Sequence, residues 1–205
     1  MSAYFWDRTL ACRAVGARLA PHAESTMPRL ALLIRKAGPT DLDALVETRA
    51  ALFRELGGGA EGARLDVFRA ACREALARGI GAGAAVAWLA TTPAGHMHGA
   101  AVLLVFPRLP APLDTRAREG YLLNVYVAPE HRRQGVATSL VDAALAEARA
   151  LGLARVRLHA TDDGRSVYAG RGFHARGDEM ELVLPPDESG RAAPATASPF
   201  EPEEP

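Results

Sequence analysis

The sequence predicts an α/β (α+β) domain with a mixed, mostly antiparallel twisted sheet and helices on both faces. Three observations predict it. Apolar runs of strand length alternate with longer segments of helical periodicity. The stretch Tyr121–Leu151 reads as strand, tight basic turn and helix. And 205 residues with 49% apolar content can bury one full core, which favours a single globular unit with appendages.

Twenty-four basic residues balance twenty-four acidic ones, so no overall field recruits nucleic acid or a membrane surface, and an anion site has to be local. Cys12 and Cys72 show neither disulfide-framework nor metal-site spacing. No run approaches the roughly 20 apolar residues of a membrane span, and Arg8, Arg13 and Arg18 interrupt the first 27 residues as a secretory signal would not allow. The expectation is a cytoplasmic protein without nucleic-acid or membrane partners, with homodimerisation left open.

Taken in order, residues 1–28 form an extension without clear periodicity: a flexible arm, a docking helix around Arg8–Leu19, or the product of an upstream start before Met27. The domain proper is expected at 29–184. Leu30–Lys36 reads as a strand, and Thr40, with Asp43 three residues on, as a capping box opening a helix that Gly57 ends. Gly57–Gly62 fits the pattern G-x-G-x-x-G but follows a helix instead of a strand, so it is read as a loop. A second helix is predicted over Leu65–Arg78, with Leu65, Phe68, Cys72, Ala75 and Leu76 on one face. Ala84–Thr91 and Gly99–Phe106 form a hairpin. His96 and His98 in its turn lack a third ligand, and no metal is expected.

Pro107–Glu119 is a loop long enough to carry function. Ala154–Ala160 alternates apolar and basic residues as a half-buried strand does, Arg165–Ala169 is a short helix, and Phe173–Ala175 with Glu179–Leu184 reads as a final antiparallel pair. Residues 185–205 hold six prolines and five acidic residues against one Arg, a composition expected to be disordered.

The chemistry concentrates in the turn. A helix leaves about four N–H groups unpaired in its first turn, and its dipole places roughly half a positive charge there. Gly135 and Ala137 lack bulk, Arg132 and Arg133 add charge, and Thr138 adds a hydroxyl, so a phosphate fits at this end. No Gly-Lys-Ser/Thr follows, which argues against a nucleotide triphosphatase.

The run Val125-x-Val127-x-Pro129-x-x-Arg132-x-x-Gly135-x-Ala137 resembles the pyrophosphate motif of the GNAT (GCN5-related) N-acetyltransferase family, and Tyr168-x-x-x-Gly172-Phe173 resembles that family's second landmark. The resemblance covers residues 30–184, tightly from 121 to 173. It implies acetyl-CoA as co-substrate, held by the strand Val125, Tyr126 and Val127 along the pantetheine arm. The loop Arg132, Arg133, Gln134, Gly135, Val136, Ala137 and Thr138 would lie on the pyrophosphate. Thr161 stands where the family often has Asn, and Tyr168 would lie beside the thioester sulfur.

The implied activity is acetyl transfer to a primary amine, of a small molecule or a peptide, by direct attack. A phenol near pKa 10 is protonated at neutral pH and can donate to a thiolate resembling a cysteine of pKa about 8.5. For the base, Glu55 and Glu119 are candidates, acting through water. The acceptor pocket is expected from the first two helices, the 107–119 loop and the 176–178 turn. A non-catalytic acyl-CoA-binding regulatory module is the competing reading.

Overall fold

Residues 32–177, Met180 and Leu182 are described by the computed structural model. Five strands line up in sequence order: β1 (Leu33–Lys36), β2 (Ala85–Thr91), β3 (Met97–Pro107), β4 (Arg118–Val127) and β5 (Val156–Arg157). The first three pairings are antiparallel and the last is parallel. A parallel pair needs a crossover, supplied here by α3 (Val136–Ala150) between β4 and β5. Helices α1 (Leu42–Glu55) and α2 (Gly62–Gly81) separate β1 from β2, and α4 (Arg165–Ala169) follows β5.

The near-continuous apolar character of β2 and β3 follows from their being covered on both faces. Trp88, Ala90, Ala101, Leu103 and Val105 point to one core, closed by Leu140, Val141 and Ala144 of α3. Their neighbours Ala85, Ala87, Leu89, Ala100 and Val102 point to a second core, under Leu42, Leu45, Val46 and Leu76 of α1 and α2. The predicted mostly antiparallel sheet with helices on both faces is what the chain forms.

Several local expectations need correction. Thr40 does not cap α1. Residues 39–41 form a 3₁₀ turn, the Gly38 N–H donates to Asp41 Oδ2 at 2.8 Å, and Asp41 also takes both guanidinium nitrogens of Arg35 at 2.7 Å. That fork lowers the Asp41 pKa to about 2. Asp43 pairs with Arg73 of α2 instead of closing a box. Helix α2 is longer than its apolar face suggested. The strand predicted over 154–160 pairs only at Val156 and Arg157. Phe173–Ala175 carries no strand, and residues 179, 181 and 183–184 of its expected partner lie outside the described residues, as do the 1–28 extension, the tail and Cys12.

His98 lies in a strand, not in the hairpin turn. It is buried in β3 and stacks on His131, ring centroids 3.6 Å apart and planes 11° from parallel. Burial, and then the neighbouring His131, hold its pKa below the ordinary 6.5. The unfolded chain therefore binds a proton that the folded one refuses. His98's contribution is full above about pH 6.5 and is lost as pH falls from there through the native value. We expect Tm to decline as pH falls from 7 to 5, and to decline less in His98→Gln. An identical slope in the variant would place the acid sensitivity elsewhere.

Candidate active site

The site begins with a fault in β4. At its start, even-numbered residues bond towards β5: the Arg118 carbonyl accepts from Ala154 N–H at 2.8 Å, and Gly120 N–H donates to the Arg155 carbonyl at 2.9 Å. At its end, even-numbered residues face β3. Ala128 N–H donates to the His98 carbonyl at 2.9 Å, and the Tyr126 carbonyl lies against Gly99. A regular strand cannot do both, because backbone groups alternate sides with period two. The register slips between Ala100 and Val102, which oppose Tyr126 and Leu123, and Asn124 takes a left-handed φ of 52°. This bulge turns the backbone of Val125 and Val127 to the side away from β3.

On that side β5 has already parted from β4, since it pairs only with Gly120 and Tyr121. Val125 and Val127 thus line an open slot in which an extended chain bearing amides could pair as an added strand. The Val127 carbonyl also accepts from Arg132 Nε at 3.0 Å. The Tyr126 backbone is committed to β3, so this residue offers the slot no strand pairing, contrary to expectation. Its phenol lies beside Glu55, and burial raises its pKa first, with the Glu55 charge second.

The turn follows directly. Pro129–His131 is a 3₁₀ turn, and Arg133 and Gly135 take left-handed φ of 60° and 82°. A Cβ at Gly135 would meet nothing within 4 Å, so glycine is required there by the backbone angle and leaves open space in front of it. The first hydrogen bond of α3 runs from Ser139 N–H to the Gly135 carbonyl at 3.0 Å. The N–H groups of Arg133, Gln134, Gly135, Val136, Ala137 and Thr138 therefore precede the ladder, with no acceptor among the described residues.

The side chains of the loop divide the work. Val136 is buried in the α3 core and anchors the helix start. The Gln134 side chain turns back to the Glu130 carbonyl at 3.2 Å. Arg132 braces strand, loop and α1 together, since its Nη2 reaches Glu55 Oε2 at 2.5 Å. Arg133 is exposed and has no carboxylate partner among the described residues.

Across the slot, Tyr168 of α4 packs edge-on against Phe173, centroids 5.9 Å apart, at the margin of the core that also holds Val125. Gly164 lets the ring lie over its turn: a Cβ there would sit 3.0 Å from Tyr168 Cε2. Burial raises the Tyr168 pKa, so the phenol stays protonated well above neutrality. Arg171 clamps the following turn to α3 through both oxygens of Asp142, at 2.9 and 3.0 Å. Thr161 is exposed, and its Oγ1 accepts from the Gly164 N–H at 3.3 Å, so it shapes the turn before Tyr168.

The two carboxylate candidates are both engaged. Glu119 is buried and held by three guanidiniums: Arg157 donates to Oε1 at 2.6 Å, Arg155 Nε lies 2.7 Å from Oε2, and Arg108 Nε lies 3.9 Å away. It also stands five residues before Asn124, roughly 17 Å along the strand. Its position makes it a structural anion tying the β3–β4 loop to β5, and removes it as a base. Glu55 is tied to Arg132. At the end of the 107–119 loop, Arg116 and Arg118 cap the C-terminal end of α3 through the Leu153 and Leu151 carbonyls at 3.0 and 2.8 Å.

On the opposite face of the sheet from α3, a cleft of about 350 Å³ opens between α1, α2 and β2–β4. Arg49, Phe68, Cys72, Leu76, Leu123 and Asn124 line it. The helical spacing assigned Phe68, Cys72 and Leu76 to a core face. Only Leu76 is fully buried, and the rest of that face forms the wall of the cleft. Arg49 was not foreseen, because one arginine on an amphipathic helix carries no pattern of its own.

Residues 74–173 match the model of the acetyltransferase (GNAT) family. No curated protein sequence matches significantly. Among solved structures, a GCN5-related N-acetyltransferase from Ralstonia eutropha JMP134 is 28% identical, with TM-score 0.64 over 74% of this chain and 98% of its own. A protein from Clostridium acetobutylicum described as a predicted acetyltransferase, solved with acetyl-CoA, has TM-score 0.68 at 24% identity, covering 75% of this chain and 96% of that one. Glucosamine-6-phosphate N-acetyltransferase from Arabidopsis thaliana shares the fold at 16% identity, TM-score 0.57, over 75% and 99% of the two chains. The family's two landmarks lie on either side of one open slot, inside the stretch 74–173 that matches the GNAT acetyltransferase domain.

Proposed function

We propose that the protein transfers an acetyl group from acetyl-CoA to a primary amine by direct attack, with no covalent enzyme intermediate. The observation that carries this reading is the bulge at Asn124. It sets a strand edge that suits two pantetheine amides immediately before a row of six free N–H groups that suits a pyrophosphate. Acetyl-CoA supplies the thioester.

The residues then divide the chemistry. Val125 and Val127 hold the pantetheine arm by backbone pairing, while the 133–138 amides and the Arg133 guanidinium hold the phosphates. The attacking nitrogen forms a bond to the thioester carbonyl carbon as the C–S bond breaks. The nitrogen, delivered as an ammonium, loses one proton to water before it attacks and a second as the amide forms, and the departing sulfur receives one from the Tyr168 hydroxyl, which solvent then restores. Stripping the proton from an alkylammonium of pKa about 10.4 at pH 7 costs roughly 4.6 kcal/mol. With Glu119 enclosed by arginines and Glu55 paired to Arg132, a water chain is the acceptor of that proton.

Titration calorimetry with acetyl-CoA, CoA and ATP tests the donor half. Acetyl-CoA and CoA are expected to bind and ATP to bind far more weakly. Absence of any CoA binding would end the reading. Arg133→Ala is expected to weaken acetyl-CoA binding by roughly 5- to 10-fold at low salt, about 1 kcal/mol, and by less at high salt. A CoA-binding module without turnover is the second reading, favoured by the engagement of both carboxylates. Thiol release from acetyl-CoA on a panel of amines decides between them.

A further inference from the structure

The cleft between α1, α2 and the sheet carries two unmatched polar groups of opposite demand. Thr48, buried on α1, donates its single hydroxyl proton to the Leu45 carbonyl at 2.8 Å. Its oxygen can then only accept, so the group that meets it at 3.2 Å is the Asn124 Nδ2 donor. This assigns the amide orientation. The Asn124 Oδ1 is left as a pure acceptor, on a residue 4% exposed, with no partner. A buried amide oxygen without a donor is uncommon. The bulge that opens the slot at Val125 and Val127 also swings Asn124 onto the α1 face, next to the residues proposed to hold the pantetheine arm.

The second group is Arg49, the residue after Thr48. It lies over the Phe53 ring, 4.9 Å from its centroid. The carboxylates around it are taken: Glu47 by Arg69, and Asp43 by Arg73. Among the described residues Arg49 has no anionic partner. Between these groups the wall is apolar, formed by Phe68, Cys72, Leu76 and Leu123. Its volume of about 350 Å³ is at the small end of ligand sites.

We propose that the acetyl acceptor is a small apolar α-amino acid. Its amine N–H donates to Asn124 Oδ1, its carboxylate pairs with Arg49, and its side chain lies on Phe68, Cys72 and Leu123. This rests on the acetyltransferase reading above and narrows its acceptor. Polyamines and sugar amines, which lack both the anion and the apolar body, are poor fits. Asn124 and Arg49 are the specificity residues.

The test measures thiol release from acetyl-CoA on the full chain. The panel is phenylalanine, leucine and methionine, each with its carboxamide, its decarboxylated amine, and spermidine and glucosamine for contrast. The free amino acids are expected to exceed their carboxamides at least tenfold in kcat/KM, with the difference mainly in KM. In Arg49→Ala that ratio should fall to within about twofold, and acetyl-CoA affinity by calorimetry should match the parent. In Asn124→Gly, which removes the amide and keeps the left-handed backbone angle, turnover of all amino acids should drop while acetyl-CoA still binds. Acetyl-CoA binding with turnover of spermidine or glucosamine in preference to amino acids would overturn the acceptor class and leave the acetyltransferase reading intact. So would an acid-to-carboxamide ratio that Arg49→Ala leaves unchanged, or binding without turnover of any amino acid. Absence of acetyl-CoA binding would remove both.

Discussion

Tyr168→Phe is expected to lower kcat by about 10²-fold or more while acetyl-CoA affinity stays within about twofold, the range that loss of a positioned proton donor produces. The ring packs against Phe173 and the α3 core, and phenylalanine preserves that packing, so the variant should fold as the parent does. What it loses is the hydroxyl, which makes no hydrogen bond among the described residues and whose proton burial retains. Without a donor the sulfur must leave as a thiolate. Transfer from a phenol of pKa near 10 to a thiolate of pKa about 8.5 is uphill by only ~2 kcal/mol, and burial, by raising the phenol, favours a strong hydrogen bond over complete transfer. The rate should therefore fall with kcat and kcat/KM together, as when an interaction made only in the transition state is removed. The loss should also be smaller for an acyl thioester with a more acidic leaving thiol. A parent-like kcat in the variant would take Tyr168 out of the mechanism.

The pieces of this site were legible in the sequence to different degrees, and the reason is how far each depends on distant chain. Strand, turn and helix at 121–150 are specified locally: apolar alternation, Pro129, and Gly135 at a left-handed position just before the helix. Tyr168 was legible through its spacing from Gly172 and Phe173. The bulge was not. Asn124 reads as one polar residue in a strand, and only pairing with β3 on one side and the early end of β5 on the other shows that it reverses the backbone of Val125 and Val127. Glu119 misled for the same reason. Its three arginines come from residues 108, 155 and 157, and no local pattern announces that they surround it. The face of α2 was recognised as apolar, but period alone does not distinguish a face that is packed from one that walls a cleft.

Gly99→Ala tests the geometry on which the slot depends, and we expect it to be the most destabilising glycine substitution in the sheet. A Cβ at position 99 would stand 2.4 Å from the Tyr126 carbonyl oxygen, 3.3 Å from Leu140 Cδ1 and 3.4 Å from Val127 Cα. The first of these is backbone, and it cannot rotate away as a side-chain tip can. Either β3 and β4 separate, which breaks the pairing of Gly99 with Val127 and of Ala100 with Tyr126, or the Tyr126 peptide turns. Overpacking of this kind costs about 1–3 kcal/mol, and in a domain of this size each kcal/mol moves Tm by about 2–4 °C, so a fall of roughly 2–12 °C is expected. The second route predicts a functional effect as well. If the Tyr126 peptide turns, Val125 and Val127 no longer present their groups to the slot together, and acetyl-CoA binding should weaken more than Tm alone would suggest at a temperature where the variant is still folded. Gly81→Ala is the control. Gly81 closes α2 with nothing within 4 Å of a Cβ, so the change should be neutral or mildly stabilising. Equal Tm for the two variants would mean that β3 and β4 are not in the close contact that makes Gly99 necessary. Parent-like acetyl-CoA affinity in a destabilised Gly99→Ala protein would mean that the strands absorb the strain by separating, with the edge at Val125 and Val127 left intact.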